Sequence, residues 1–222
     1  MIKFVTFADI VSLLNALFGF FALLMLFSKE FNIAFSLIFL ALLADGLDGV
    51  IARRINKGKM GEYLEAMADM ISLSIAPILF VYCQYYTALI SSIFLQGVFY
   101  AIFIFFIICS IIRLSSFHML KDKRSFIGLP ASASTIFILV LAYVNIDYLY
   151  LLSLILIISL FMISQIRFPK PTIKVNTIAA LLIILSILFQ DTFNSLFLIL
   201  LFIALSIYSI GGPIYLKYKK FV

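Results

Sequence analysis

Long apolar runs separated by short polar stretches follow one another along the chain. The runs are continuous, whereas strands of a membrane β-barrel alternate apolar and polar residues. Because lipid offers no hydrogen bonds to the backbone, continuous apolar spans have to be helical. The pattern therefore predicts an all-α, polytopic helical membrane protein with about eight transmembrane helices, near residues 9–27, 32–55, 60–85, 88–118, 128–145, 147–167, 173–190 and 193–216.

The composition agrees with this pattern. Hydrophobic residues make up 65% of the chain and the mean hydropathy is +1.25, which excludes an ordinary soluble domain. The apolar runs leave no segment long enough for a separate soluble domain. We expect residues 1–222 to form a single integral-membrane domain.

The basic residues predict the orientation of the spans. With eight spans and a cytoplasmic N-terminus, 14 of the 16 Lys and Arg residues fall in cytoplasmic segments, while Lys29 lies outside and Arg113 lies within a helix. The net charge of +6 is thus explained by topology, and nucleic acid is not expected as a partner. We expect a multi-pass protein of the cell membrane with both termini on the cytoplasmic side.

The acidic residues are concentrated in one stretch. Five of the ten lie between Asp45 and Asp69, in or beside apolar segments where charge is costly and usually functional. Asp45 and Asp48 are i, i+3 neighbours at the end of the second predicted helix, and Glu65 and Asp69 are i, i+4 neighbours at the start of the third. The two pairs are predicted to meet at the cytoplasmic face as a cluster of four carboxylates.

Four carboxylates this close repel one another unless cations neutralise them. Oxygen ligands without Cys or His favour Mg²⁺, Mn²⁺ or Ca²⁺ over Zn²⁺ or Cu²⁺. Two divalent ions held in this way could clamp a pyrophosphate and stabilise a phosphoryl group during its displacement. Gly49, Ala52 and Gly61 remove side-chain bulk beside the acids, as a ligand that touches helix backbone requires.

The acids also allow two other interpretations. They could form buried ion pairs with the basic residues of the following loop, among them Arg53 and Arg54, but those residues already have an explanation in the orientation rule. They could also belong to an ion or proton pathway. Transporters usually spread such acids over several helices near the midplane, whereas these lie on one helix pair near one face.

The spacing of this stretch resembles the signature of the CDP-alcohol phosphotransferase family. Asp45 to Arg53 reads D-x-x-D-G-x-x-A-R, and after a gap of seven Gly61 to Asp69 reads G-x-x-x-E-x-x-x-D. Residues 9–16, 126–130 and 164–170 are similar to the phosphatidylserine and archaetidylserine synthase branch. Two departures stand out: Glu65 replaces the third Asp of the family pattern, and the segment from Arg113 to Phe117 lacks that branch's second Arg.

The resemblance implies transfer of a phosphatidyl or archaetidyl group from CDP-diacylglycerol or CDP-archaeol to the hydroxyl of L-serine, with release of CMP. It further implies a homodimer in the lipid membrane that uses two divalent cations, Mg²⁺ or Mn²⁺. Asp69 would be the general base. The metal ligands would be Asp45, Asp48, Glu65 and Asp69, and the nucleotide site would be lined by Gly49, Ala52, Arg53 and Gly61 with Asn15.

The acceptor is the less constrained half of this prediction. Arg113, Lys123 and Arg124 could bind a carboxylate or phosphate of the acceptor, although the two loop residues could also serve only to set the topology. Glycerol phosphate and inositol phosphate are alternative acceptors. A non-enzymatic cation-binding membrane protein or transporter is the alternative class.

Overall fold

The computed structural model describes residues 6–51, 60–90, 92–117, 125–190, 192 and 195–219, without the side chains of residues 49–51, 89, 117 and 219. Helices dominate these residues, which confirms the predicted all-α fold class. In chain order the helices are α1 (Phe7–Phe27), α2 (Phe31–Ile51), α3 (Gly61–Asp69), a π-helical segment (Met70–Ile75), α4 (Ala76–Gln84), α5 (Tyr86–Leu89), α6 (Ile93–Phe117), α7 (Ala131–Tyr143), α8 (Tyr148–Met162), α9 (Ile173–Leu188) and α10 (Leu196–Lys219).

Five of the described helical stretches are long and apolar enough to cross a membrane, namely Phe7–Phe27, Phe31–Asp48, Gly61–Gln84, Ile93–Ser116 and Leu196–Tyr218. The apolar helices α7, α8 and α9 have 13, 15 and 16 residues. At about 1.5 Å per residue these three are shorter than the roughly 30 Å hydrocarbon core. Each of the eight predicted spans coincides with one of these stretches, so the architecture is that of a polytopic helical membrane protein.

The third span is interrupted by the π-helical segment, which begins directly after Asp69. Pro77 follows this segment as the second residue of α4. Proline lacks an N–H donor and its ring crowds the carbonyl four residues earlier, so a wider helical turn before it relieves the conflict. The π-helical turn also brings Ser72 and Ser74 both into the interior, where each is 0% exposed.

A small antiparallel sheet was not predicted. Strand β1 (Ser125–Ile127) pairs with β2 (Arg167–Pro169), with Phe126 opposite Phe168. The sixth predicted helix accordingly ends at Met162 rather than at residue 167, because the chain turns to form this pairing. Gly128 then follows β1 at φ 77°, and a Cβ at this position would collide with the carbonyl oxygen of Met162. Only glycine fits such a position.

The chain divides into two compact units, Met1–Gln96 and Gly97–Val222. In the first unit α1 packs against α2, α3, the π-helical segment and α4. In the second unit α7 packs against α8, and α10 packs against α7, α9 and β2. The largest fully buried side chains of the two units are Phe35, Phe39 and Phe80 in the first and Phe99, Phe106 and Phe168 in the second. The single catalytic domain over residues 1–222 stays a prediction.

Helix α1 has the reverse of the polarity pattern of a soluble helix. Its buried face carries small and polar residues, Asp9, Ser12, Asn15, Gly19 and Ala22. Its exposed face carries large apolar ones, Ile10, Leu13, Leu14, Leu17, Phe20, Phe21 and Leu24. Lipid is as apolar as leucine, so membrane helices associate through small and hydrogen-bonding residues rather than through large apolar ones. This face of α1 supplies one wall of the candidate site.

Candidate active site

Three of the predicted carboxylates come together in the first unit. Asp45 and Asp48 on α2 and Glu65 on α3 each offer one oxygen atom, and these three atoms lie within 4.8 Å of one another. Asp48 is 3% exposed, whereas Asp45 and Glu65 are partly exposed. The predicted meeting of the two helices is therefore observed, and its charges are concentrated at a half-buried point between them.

Asp69 lies one helical turn beyond Glu65 and is 8% exposed. Its Oδ1 atom accepts a hydrogen bond from Nδ2 of Asn15 at 2.9 Å. It lies within electrostatic range of Asp45, Glu65 and Asp48, although no oxygen of Asp69 belongs to the group of three described above. Of the four carboxylates predicted to form the cluster, three therefore converge. The fourth, Asp69, lies beside them and is hydrogen-bonded to Asn15 of α1.

Helix α1 contacts both halves of the acidic motif. The Ser12 hydroxyl donates to Oδ2 of Asp48 at 2.6 Å, while Asn15 binds Asp69. The Ser72 hydroxyl, from the π-helical segment, donates to Oδ1 of Asn15 at 2.6 Å. Sequence reasoning missed Ser12 and Ser72. A signal for Ser12 was present, because Asp9, Ser12 and Asn15 are three residues apart in an otherwise apolar run.

The predicted nucleotide-site residues fall in three groups. Asn15 is 0% exposed and bonded to Asp69 and Ser72, so the structure makes it a partner of the acids. Gly61 is buried at the first position of α3, and Gly49 lies in the last turn of α2. Ala52 and Arg53 lie outside the described residues. The nucleotide role of all five stays a prediction.

The predicted acceptor residues belong to the second unit. Arg113 on α6 is 5% exposed, and its Nε atom donates to the backbone oxygen of Leu129 at 3.1 Å. This bond ties α6 to the segment that joins β1 to α7. Lys123 and Arg124 lie outside the described residues. Acceptor binding by these three residues is not tested by the geometry of the second unit.

The sequence as a whole matches one family model. Residues 5–208 match the model described as CDP-alcohol phosphatidyltransferase. The chain belongs to the CDP-alcohol phosphatidyltransferase family. This match confirms the resemblance identified from residues 45–69. Because family members are enzymes, the chain is a membrane transferase of phospholipid biosynthesis.

Among curated CDP-alcohol phosphatidyltransferases, the chain is similar to the CDP-diacylglycerol–serine O-phosphatidyltransferase of Methanocaldococcus jannaschii, with 33% identity over 171 residues and 76% of each chain covered. It is 28% identical to the archaetidylserine synthase of Methanothermobacter thermautotrophicus over 181 residues, 76% of this chain and 71% of that one. The CDP-diacylglycerol–serine O-phosphatidyltransferase of Helicobacter pylori strain 26695 is 30% identical over 186 residues, 76% and 75% of the two chains.

The donor atoms of this CDP-alcohol phosphatidyltransferase suit a hard divalent cation. The three converging ligands are all carboxylates, and no Cys or His belongs to the group among the described residues. Oxygen-only ligand sets are typical of Mg²⁺, Mn²⁺ and Ca²⁺ sites. Three like charges in a half-buried position between membrane helices are unfavourable without a cation. The residues therefore fit the metal that the resemblance implies.

Proposed function

We propose that the protein transfers a phosphatidyl or archaetidyl group from a CDP-lipid, CDP-diacylglycerol or CDP-archaeol, to the hydroxyl of L-serine and releases CMP. The observation that carries this proposal is the convergence of Asp45, Asp48 and Glu65 from two helices onto one point. The named relatives support serine as the acceptor, since two are serine O-phosphatidyltransferases and one is an archaetidylserine synthase.

Asp45, Asp48 and Glu65, with Asp69 beside them, would hold two divalent cations, Mg²⁺ or Mn²⁺, with Ca²⁺ as a further candidate. Bound cations would neutralise the diphosphate of the CDP-lipid and the charge that develops on it during displacement. Glu65 reaches one methylene further than the Asp of the family pattern. Its side chain is partly exposed, which is compatible with a ligand that enters from the open side of the cluster.

Asp69 is proposed as the general base. Its carboxylate accepts the proton of the serine hydroxyl, and the serine oxygen forms a bond to the phosphorus on the lipid side of the diphosphate. The bond from that phosphorus to the bridging oxygen breaks, and CMP leaves with the electron pair. The proposal is supported by the burial of Asp69 and its hydrogen bond to Asn15, which restrict the carboxylate to one orientation.

The remaining site assignments are proposals on the same basis. Gly49, Ala52, Arg53 and Gly61 are proposed to line the nucleotide site, and Arg113, Lys123 and Arg124 to bind the acceptor. The positive-inside rule supports a cytoplasmic active site with both termini on that side. A homodimer is proposed from the family resemblance.

The test is CMP release by purified protein in lipid nanodiscs supplied with a CDP-lipid. We expect release that requires Mg²⁺ or Mn²⁺ and added L-serine, and that stops on chelation by EDTA. Glycerol phosphate and inositol phosphate are the comparison acceptors, and release with one of these instead would reassign the acceptor. Metal-dependent ion flux into vesicles without CMP release would contradict the proposed reaction and support a transport function instead.

A further inference from the structure

The hydrogen bond between Asn15 and Asp69 is part of a longer chain of contacts in the first unit. The Ser72 hydroxyl lies 2.6 Å from Oδ1 of Asn15 and 2.9 Å from the backbone oxygen of Ala68. Nδ2 of Asn15 lies 2.9 Å from Oδ1 of Asp69. Ser72 and Asn15 are each 0% exposed. The three side chains thus form a buried series that runs from the π-helical segment through α1 and back to α3.

The chemistry of the three groups fixes the direction of these bonds. An ionised carboxylate only accepts, so the amide nitrogen of Asn15 has to face Asp69. The amide oxygen then faces Ser72, whose hydroxyl supplies the donor that this oxygen needs in a buried site. Ser72 therefore holds the Asn15 amide in the one orientation that suits an ionised Asp69.

The backbone brings these groups within reach. Gly19 lies one turn beyond Asn15 on the buried face of α1, and a Cβ at Gly19 would stand 2.6 Å from Cα of Ser72. A real Cβ does not come this close, so glycine at this position permits the direct approach of α1 to the π-helical segment. The Ser72–Asn15 bond depends on this approach.

We infer that Ser72 and Asn15 are positioning residues for Asp69: Ser72 orients the Asn15 amide, and Asn15 holds Oδ1 of Asp69, which leaves Oδ2 to accept the proton of the acceptor hydroxyl and to bind metal. Neither side chain touches the substrate, and Asn15 acts through Asp69 rather than through the nucleotide. The inference rests on the proposed function, because that function gives Asp69 its role as the base. The hydrogen bonds among Ser72, Asn15 and Asp69 are observed independently of that function.

The π-helical segment offers a matched control. Ser74 lies two residues from Ser72 and is also 0% exposed, but its hydroxyl has no hydrogen-bond partner among the described residues. Both Ser72→Ala and Ser74→Ala remove one buried hydroxyl from the same segment. Only the first removes a bond to Asn15.

We would measure CMP release and Mn²⁺ affinity, the latter by electron paramagnetic resonance, for the full-length protein in nanodiscs. Ser72→Ala is expected to lower kcat and weaken Mn²⁺ binding by about tenfold, and Asn15→Leu by about a hundredfold, the range typical of groups that orient metal ligands. At an Mn²⁺ concentration that saturates each variant, the KM for CDP-lipid should stay within about twofold, because the metal site is then filled and ground-state binding is unchanged. Ser74→Ala should match the wild type in all three.

A double variant tests whether the two residues act as one unit. If Ser72 acts through Asn15, Asn15→Leu combined with Ser72→Ala should lose no more activity or Mn²⁺ affinity than Asn15→Leu alone, whereas independent effects would multiply. Thermal unfolding identifies variants that fold poorly. If Asn15→Leu folds poorly, the comparison of Ser72→Ala with Ser74→Ala still tests the inference without the double variant.

Equal kcat and Mn²⁺ affinity for Ser72→Ala and Ser74→Ala would overturn the inference and leave the proposed function intact. A raised KM with unchanged kcat would also overturn it, in favour of nucleotide contact by Asn15. Failure of the wild type to release CMP, with Mn²⁺ binding still weakened in Ser72→Ala alone, would sustain the positioning role and overturn the proposed function.

Discussion

The two units differ in what several of their buried or half-buried polar side chains bind. In the first unit, Ser12, Asn15 and Ser72 bond to carboxylates or to one another across helices. In the second unit, Arg113 donates to the backbone oxygen of Leu129, and Tyr208 donates to that of Pro169 at 2.6 Å. These two bonds of the second unit fix the backbone, whereas Ser12 and Asn15 of the first unit bind carboxylates.

This difference has an energetic meaning. A buried donor bonded to a backbone carbonyl satisfies both partners and stabilises the fold modestly. A group of carboxylates in a membrane protein costs free energy unless a cation is bound, so its presence is hard to explain by stability alone. Substitutions in the first unit should therefore change activity and metal binding more than stability, and those in the second unit should do the reverse.

The largest effect is expected from Asp69→Asn in the first unit. The amide keeps the shape of the side chain but takes no proton, so CMP release should fall by about 10²- to 10⁴-fold, the usual contribution of a general base. The matched control is Asp147→Asn, the same substitution at the exposed N-cap of α8, where Asn caps a helix as well as Asp does. Equal rates of CMP release by Asp69→Asn and Asp147→Asn would show that Asp69 is not the general base.

The next effect in size is expected from Gly19→Ala. The added methyl group would press on the backbone of Ser72 and displace the π-helical segment from α1. Small displacements of reacting groups are costly, so CMP release should fall by about ten- to a hundredfold. The control is Gly97→Ala on α6, where an added Cβ meets nothing within 4 Å. Full activity of Gly19→Ala would show that this approach is not needed for the site.

Gly128→Ala probes the second unit through stability. Its φ of 77° and the contact with Met162 make a side chain unfavourable, and we expect a loss of about 2 kcal/mol or more in the free energy of unfolding. Thermal unfolding measures this loss, with Gly97→Ala again as the control. Mn²⁺ affinity of the folded protein should not change. Weakened Mn²⁺ binding without loss of stability would contradict the division between the units.

The smallest effect is expected from Glu65→Asp. The substitution restores the carboxylate of the family pattern and shortens it by one methylene, so CMP release should change by less than about tenfold, with a shift in the preference between Mg²⁺ and Mn²⁺. Glu65→Gln, which keeps the length but removes the charge, should weaken Mn²⁺ binding more. If Glu65→Gln bound Mn²⁺ as the wild type does, Glu65 would not be a ligand.

The helices could be located from the sequence because a helix that crosses the hydrocarbon core needs an apolar run of a defined length. The prediction failed at residues 163–167, where a turn that leads into β2 replaces the end of a predicted helix. Strands of three residues that pair with a segment about forty residues away leave no periodic signal. The π-helical segment was equally inaccessible, since only Pro77 marked an irregularity and did not indicate its form.

The site was predicted to the extent that its residues are chemically unusual. Carboxylates within apolar helices are conspicuous, so Asp45, Asp48 and Glu65 could be found from spacing. Serines are not: Ser153 and Ser159 bond the carbonyl four residues before them, as serines in membrane helices commonly do. Nothing in the sequence separates these from Ser72, whose bond to Asn15 depends on the packing of α1. Only the spacing of Ser12 with Asp9 and Asn15 gave a signal for Ser12.

The central claim is that the carboxylates of α2 and α3 bind divalent metal, and Mn²⁺ titration followed by electron paramagnetic resonance tests it most directly. The account predicts that the wild type and Asp147→Asn bind Mn²⁺ with equal affinity. The double variant Asp45→Asn, Asp48→Asn, once thermal unfolding has shown that it is folded, should bind Mn²⁺ more than about a hundredfold less tightly. The reason is that removing metal ligands weakens binding more than removing the hydrogen bonds that support them. Equal Mn²⁺ affinity in the wild type and the double variant would contradict the account.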